Sequence, residues 1–383
     1  MAEAADEQDL LDLVHTLATA EVAPRAVAGE RAEEFPRDLI RLLGASGLLG
    51  LPYPPEYGGA GVSTRAYLGV IEELSRAWLS VGLAVSVHTL SCFPLAHAGT
   101  QEQKRRWLPD MVGGNLLGAY CLSEPHSGSD AAALRTTAVR DDEGYLINGT
   151  KAWITHAGHA DYYVVMARTS DDGARGISCF LVPADAPGVS VAPAERKMGM
   201  RASPTAQVMF DDVHIGADRR IGAEGDGFAI AMAALDAGRL GIAACATGLA
   251  EAALAVAVDY AGERQAFGRA IGEFQGVSFL LADAATSITA ARALYREAAG
   301  IKDSGAAYST IAAMAKLFAT DACMTVTTDA VQVLGGAGYV EDYPVERYMR
   351  EAKVLQIVEG TNQVQRVVIG RSLARTAAAR ASR

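Results

Sequence analysis

The residue that most invites chemistry is Glu359. It closes the run Leu355-Gln356-Ile357-Val358-Glu359-Gly360-Thr361-Asn362-Gln363, in which an apolar stretch delivers a carboxylate and a glycine follows at once. A carboxylate carried into an apolar pocket has a raised pKa, which makes it a usable general base near neutral pH. Gly360 removes a side chain where something must pass close to the backbone. A Glu-Gly-Thr at a solvated helix end is spelled the same way, so this segment alone leaves both readings open.

Two other segments bear on the choice. In Ala119-Tyr120-Cys121-Leu122-Ser123-Glu124-Pro125-His126-Ser127-Gly128-Ser129-Asp130, Pro125 and Gly128 mark a turn. Ser123, Ser127 and Ser129 bring hydroxyls and free backbone N–H groups to it, a set able to hold an anion or a ring carbonyl. The same letters also spell an ordinary turn. In Asn148-Gly149-Thr150-Lys151-Ala152-Trp153-Ile154-Thr155, Asn148-Gly149 predicts a hairpin turn. The strand after it sets Trp153 and Thr155 on one face at period two. A flat aromatic beside a hydroxyl suits a flat heteroaromatic cofactor, though a core tryptophan has the same pattern.

The elements that position these residues fall into three stretches: 1–118, 119–223 and 224–383. From about Glu7 to Gly118 the pattern is helical with breaks: Leu10, Leu11, Val14 and Leu17 recur at helical spacing, and a helix is expected over Tyr67 to Ala84. From Ala119 to about Ile221 come short β-rich runs such as Tyr162–Ala167 and Ile177–Val182, separated by Gly and Asp turns. No Gly-x-Gly-x-x-Gly follows a strand there, which disfavours a dinucleotide-binding βαβ fold. From Gly227 the chain is Ala- and Leu-rich, with no proline until Pro344 and breaks at Gly262–Gly268, Gly300–Gly305 and Gly335–Gly338. Long helices joined by Gly turns predict a helical bundle. The fold class is therefore α+β, mainly α: helical, then β, then helical, with a frayed Ala/Arg tail after Leu373.

Composition bounds the rest. With 383 residues, half of them hydrophobic, the chain is long enough for two or three cores. A net charge of -11 disfavours nonspecific nucleic-acid binding. The five cysteines are scattered without a Cys-x-x-Cys pair, so no metal site is indicated. The acidic Met1–Val14 lacks a secretion signal, and Ile242–Val258 is too short to span a bilayer. A cytoplasmic protein with no membrane partner is expected.

Together the segments resemble the acyl-CoA dehydrogenase family over almost the whole chain. The marks run in the family's order: Ser123-Glu124-Pro125 with Gly128-Ser129-Asp130, Trp153-Ile154-Thr155, Lys197-Met198-Gly199, Leu235-Asp236 with Gly238-Arg239, Arg264 with Phe267-Gly268, Phe274-Gln275, Gln332 with Gly335-Gly336, Tyr343–Arg347, and Glu359-Gly360-Thr361.

The resemblance implies FAD-dependent oxidation of an acyl-CoA thioester to the trans-2-enoyl-CoA, in fatty acid β-oxidation, with electrons passing to an electron-transfer flavoprotein. It implies Glu359 as the base that takes the α-proton. Relatives of the isovaleryl-CoA type carry that base just before the Arg of the Leu-Asp-x-x-Arg segment, where this chain has Gly238. It assigns Tyr120, Leu122, Ser123, Ser129, Trp153, Ile154 and Thr155 to the flavin ring and pyrophosphate. Arg264, Phe267, Gln275, Gln332, Gly335 and Gly336 are expected to reach the adenine half of FAD from a neighbouring subunit, with Thr361 and Gln363 near the base. Ser129, Asp236, Arg239 and Gly360 are expected at the substrate. A site completed by two subunits implies a homo-oligomer, usually a tetramer.

The departures from the family pattern are His126-Ser127 after Pro125, His156 after Thr155, and Met200 after Lys197-Met198-Gly199. They are expected to touch substrate fit or loop mobility only. Other readings keep the flavin chemistry on a carrier-protein thioester or a specialised CoA ester, or make the chain a DNA-binding relative. An acyl-CoA oxidase is disfavoured by the length.

Overall fold

A computed structural model describes residues 2–381. The first third is helical: α1 (Ala2–Leu17), α2 (Ala26–Ala32), α3 (Arg37–Ala45), α4 (Thr64–Ala77), α5 (Leu79–Ala98) and α6 (Gln101–Val112). The single helix expected over Tyr67–Ala84 is two. Trp78 is extended (φ −161°, ψ 109°) and breaks it. No Gly or Pro marks the break; tertiary contacts impose it. The indole N–H donates to buried Glu30 at 2.9 Å, and the ring fills the space a Cβ on Gly29 would need. Glu30 also accepts from the backbone N–H of Arg201 at 2.6 Å, which ties this corner to the middle sheet.

The middle third is a mixed sheet: β1 (Gly118–Cys121), β2 (Thr137–Arg140), β3 (Gly144–Thr155), β4 (Tyr162–Arg168), β5 (Ile177–Pro183), β6 (Val189–Val191), β7 (Thr205–Gly216) and β8 (Arg220–Ile221). The order is β6-β7-β3-β2-β4-β5-β8, with β1 parallel to β4. Asn148-Gly149 is not a hairpin turn. It is a bulge inside the twelve-residue β3, where Gly149 (φ 150°) leaves room for Thr136 and the Asn148 amide pairs with Asp212. The hairpin turn lies earlier, where Asp141 Oδ1 accepts from the N–H groups of Glu143 and Gly144. A second bulge between Lys151 and Ile154 also interrupts the strict alternation expected for Trp153 and Thr155.

The last third is α7 (Gly227–Glu263), a small hairpin of β9 (Gln265–Ala266) and β10 (Arg269–Ala270), α8 (Gln275–Asp303), α9 (Ser309–Leu334), α10 (Val345–Leu355) and α11 (Asn362–Ala381). Ile242–Val258, read as too short to cross a bilayer, belongs to the 37-residue α7. Among the described residues α5, α7 and α8 are long and apolar enough to cross a membrane. The apolar windows of α5 and α7 are 89% and 78% buried inside the protein, whereas that of α8 is 17% buried. The tail expected to fray after Leu373 continues as helix to Ala381, since Ala and Arg are strong helix formers.

One apolar core joins the first and last thirds: Leu68, Ile71 and Leu74 of α4 pack with Leu240, Ala244 and Leu249 of α7. Two smaller cores cover the two faces of the sheet. The meeting line of the three thirds is where the chemistry-bearing residues gather.

Candidate active site

Glu359 follows α10 in a tight turn. It is left-handed at φ 51°, and Gly360 continues the turn at φ 87°. The residue is half-buried, but both carboxylate oxygens are shielded from solvent and have no hydrogen-bond partner among the described residues. Burial pushes its pKa up to about 7, opposed by the positive charges of Lys316 and Arg239. Tyr67 of α4, Tyr120 of β1 and Cys245 of α7 all feel its charge. All three thirds of the chain thus surround this carboxylate.

A cavity of about 230 Å³ opens beside it, lined by Tyr67, Ser86, Thr89, Leu90, Phe93 and Gly238 among others. A larger cleft of about 640 Å³, around Trp107, Asp161 and Pro183, contains none of the expected site residues. The smaller cavity is the candidate site because Gly238 lies in its wall, and a Cβ there would meet Glu359.

Asp236 and Arg239, one turn apart on α7, form a buried ion pair, and Ser309 Oγ donates to Asp236 at 2.9 Å. Burial raises the Asp236 pKa against the pull of Arg239. The pair is an i, i+3 helix pair, and of the two Arg239 also puts its positive charge on Glu359.

The serine-rich loop is held from beneath. Glu124, buried, accepts from the N–H of Arg135 at 2.7 Å and of Thr136 at 2.9 Å, and from the fully buried Lys151 Nζ at 2.7 Å. Lys151 also donates to the Leu122 carbonyl at 3.2 Å. Ser127, expected to offer its hydroxyl, is buried and spends it on the Asp130 carbonyl at 2.6 Å. Ser123 is half-buried and Ser129 exposed. Trp153 is left-handed (φ 62°) and 64% exposed, with half-buried Thr155 two residues on. Ile154 points into the sheet core, and its carbonyl accepts from the N–H of Ala157 at 3.3 Å while the residue pairs with Ala206 of β7, so it offers no side chain to a ligand.

The remaining expected contacts lie elsewhere. Thr361 Oγ1 accepts from the N–H of Val364 at 3.3 Å and caps α11, and Gln363 is exposed. Arg264, Gln275, Gln332, Gly335 and Gly336 are all exposed, and Phe267 is 96% exposed with φ 53°. Arg264 lies 26 residues beyond Gly238 along α7, about 39 Å at 1.5 Å per residue. This patch is therefore remote from Glu359 of its own chain.

The sequence departures have plain structural roles. His126 is exposed and lies 3.5 Å from Glu124. His156 is fully buried, with Nδ1 at 2.9 Å from the Gly118 carbonyl, and burial holds its pKa down to about 3. Met200 is buried at φ 52°.

Three successive family models match: acyl-CoA dehydrogenase N-terminal domain over residues 4–115, middle domain over 119–213 and C-terminal domain over 225–374. The chain belongs to the acyl-CoA dehydrogenase family. An acyl-CoA dehydrogenase of Bacillus subtilis (strain 168) is 48% identical over 94% of this chain and 96% of its own. A chain of the solved structure of the electron transferring flavoprotein of Acidaminococcus fermentans superposes with a TM-score of 0.95 at 45% identity, over 97% and 98% of the two chains. Butyryl-CoA dehydrogenase from Megasphaera elsdenii superposes with a TM-score of 0.94 at 41% identity, over 96% and 98%. The family's cofactor is FAD, and the residues present fit it. The exposed, left-handed Trp153 offers a flat apolar face, and the braced Ser123–Ser129 loop offers unspent hydroxyls beside it.

Proposed function

We propose that this protein removes the α and β hydrogens of a short acyl-CoA, with Glu359 as the base, and hands the electrons to an electron-transfer flavoprotein. The single observation behind the assignment is the carboxylate of Glu359, shielded without a hydrogen-bond partner against Gly238 in the wall of a small cavity. An unpaired buried carboxylate is costly to keep, so its persistence calls for a role. At a pKa near 7 it is poised to accept a proton from a weakly acidic carbon.

Glu359 takes the α-proton of the thioester. Its own backbone N–H, carried by the left-handed turn, would stabilise the oxygen charge that grows as the proton leaves. Bound FAD would supply the acceptor for the β-hydrogen as hydride. Trp153, Thr155, Ser123 and Ser129 would hold it, while Asp236, Arg239 and Gly360 border the substrate. Lys151 and Glu124 keep the loop rigid from behind.

A short acyl group is supported by the cavity of about 230 Å³. That is below the roughly 300–1,000 Å³ of sites for larger ligands. The kinship with a butyryl-CoA dehydrogenase supports it too. The exposed patch of Arg264, Phe267, Gln275 and Gln332 would complete the adenine end of a neighbour's FAD, in a tetramer. The thinly buried α8 supplies apolar surface for such an assembly. We place the protein in the cytoplasm, in fatty acid β-oxidation.

Anaerobic titration with acyl-CoAs of graded length tests this reading. Butyryl-CoA should bleach the flavin's visible band rapidly and long chains slowly. A flavin-replete enzyme that no CoA ester bleaches would end it.

A further inference from the structure

Lys316 stands apart from every residue considered so far. It sits in α9, fully buried, between Ala312, Ala313, Ala315 and Ala319. Burying an ammonium is expensive unless it is paired. Its two hydrogen-bond partners are neutral oxygens: the Gly360 carbonyl at 3.0 Å and Asn362 Oδ1 at 2.8 Å. Asp321, the next carboxylate it feels, is taken by Asn362, Gln356 and Arg366. The negative charge that Lys316 feels most is Glu359 itself.

The turn that Lys316 grips is strained. A non-glycine residue at φ 51° costs about 1–3 kcal/mol and persists only where neighbours hold it. Two donors converge on the Gly360 carbonyl, Lys316 Nζ at 3.0 Å and Gln365 Nε2 at 2.7 Å. They fix the Gly360–Thr361 peptide, the second after the base, and Gln365 Nε2 also lies 3.4 Å from the Glu359 carbonyl.

We propose that Lys316 is a positioning residue for proton abstraction, clamping the Glu359–Gly360 turn so that the carboxylate stays against Gly238 at the cavity. The inference rests on the reading of Glu359 as the base. The charged groups that face Glu359 are Lys316 from α9 and Arg239 from α7, the latter paired with Asp236, and the phenols of Tyr67 and Tyr120 lie on the other sides. Burial holds the Lys316 pKa down to about 7, against the pull of Glu359, so the ammonium faces Glu359 at and below that pH; removing it takes away a positive neighbour, and Glu359 holds its proton to higher pH.

The test uses the FAD-loaded enzyme and a butyryl-CoA analogue with sulfur at the β-position. Its α-proton can be removed, but the sulfur has no hydrogen to give. The resulting enolate, stacked on oxidised flavin, absorbs at long wavelength, and the pH midpoint of that band reports α-proton removal alone. Lys316→Met should move the midpoint up by about one unit. It should lower the limiting rate of butyryl-CoA bleaching about 100-fold with KM little changed. Lys316→Gln, which keeps a donor to Gly360 but no charge, should show the same midpoint shift with a smaller rate loss, and it carries the test if the Met variant does not hold flavin. Flavin-replete variants with wild-type midpoint and rate would overturn the clamp. A band that survives Glu359→Gln would instead remove the base, a different failure.

Discussion

A Cβ on Gly238 would lie 1.9 Å from Oε2 of Glu359. The position where the family resemblance puts the base of isovaleryl-type relatives and the position of the base proposed here therefore converge on one volume, one from α7 and the other from the turn after α10. Only one of them can hold a side chain. Gly238→Ala should displace the carboxylate and slow flavin bleaching by about 100-fold, while flavin content stays at the wild-type level. A rapid-mixing trace with butyryl-CoA reads this directly, and a wild-type rate would mean the carboxylate has another place to stand.

Glu359→Gln keeps the shape and removes the base. General-base catalysis is worth about 10²–10⁴ in rate, and a loss of that size in anaerobic bleaching is expected, with thioester binding retained. A loss of binding in place of rate would assign Glu359 to substrate holding alone.

The pH dependence follows from the same burial. With its pKa at about 7, Glu359 is protonated and idle in acid, so kcat/KM should rise with pH and level off above about 7. Stability runs the other way. Glu359 and the fully buried Glu351, which has no hydrogen bond among the described residues and only Arg347 as an ion pair at 3.7 Å, are carboxylates whose folded pKa, about 7 and about 8, exceeds the unfolded value. Their contribution is present below the unfolded pKa and is lost as pH rises through about 7 and about 8. Glu351→Gln should therefore raise Tm at about pH 9 and change it little at about pH 5. Equal shifts at both values would show that Glu351 is not titrating.

Lys151 and Glu124 form a buried pair 2.7 Å apart beneath the serine-rich loop. Breaking such a pair by removing one partner leaves an uncompensated charge and costs about 3–5 kcal/mol. Lys151→Met is expected to lower stability by that amount and to loosen flavin, read as a lower Tm and a lower flavin-to-protein absorbance ratio. The double change with Glu124→Gln should recover part of the loss.

The helix–sheet–helix order was legible because Pro and Gly punctuate the chain where its elements change, as at Gly262–Gly268 and Gly335–Gly338. Glu359 was legible because an apolar run leads to it. Trp78 was not, because a Trp-Leu pair carries no break signal and Glu30, far away in sequence, imposes the bend. Asn148-Gly149 misled because its amide is satisfied across the sheet by Asp212 rather than within a turn. Lys316 went unread as one more lysine in a helix. Its signal was a single cation flanked by alanines on both sides, a pattern that marks burial only when the neighbouring helices are known.

Trp153, Phe267 and Glu359 all adopt left-handed backbone conformations that glycine would occupy without steric cost. Each is also a residue assigned to cofactor or substrate. A campaign for heat resistance, scoring variants only by how well they stay folded, would accordingly drift toward glycine at these three positions. It would end with a sturdier protein that has forgotten its chemistry.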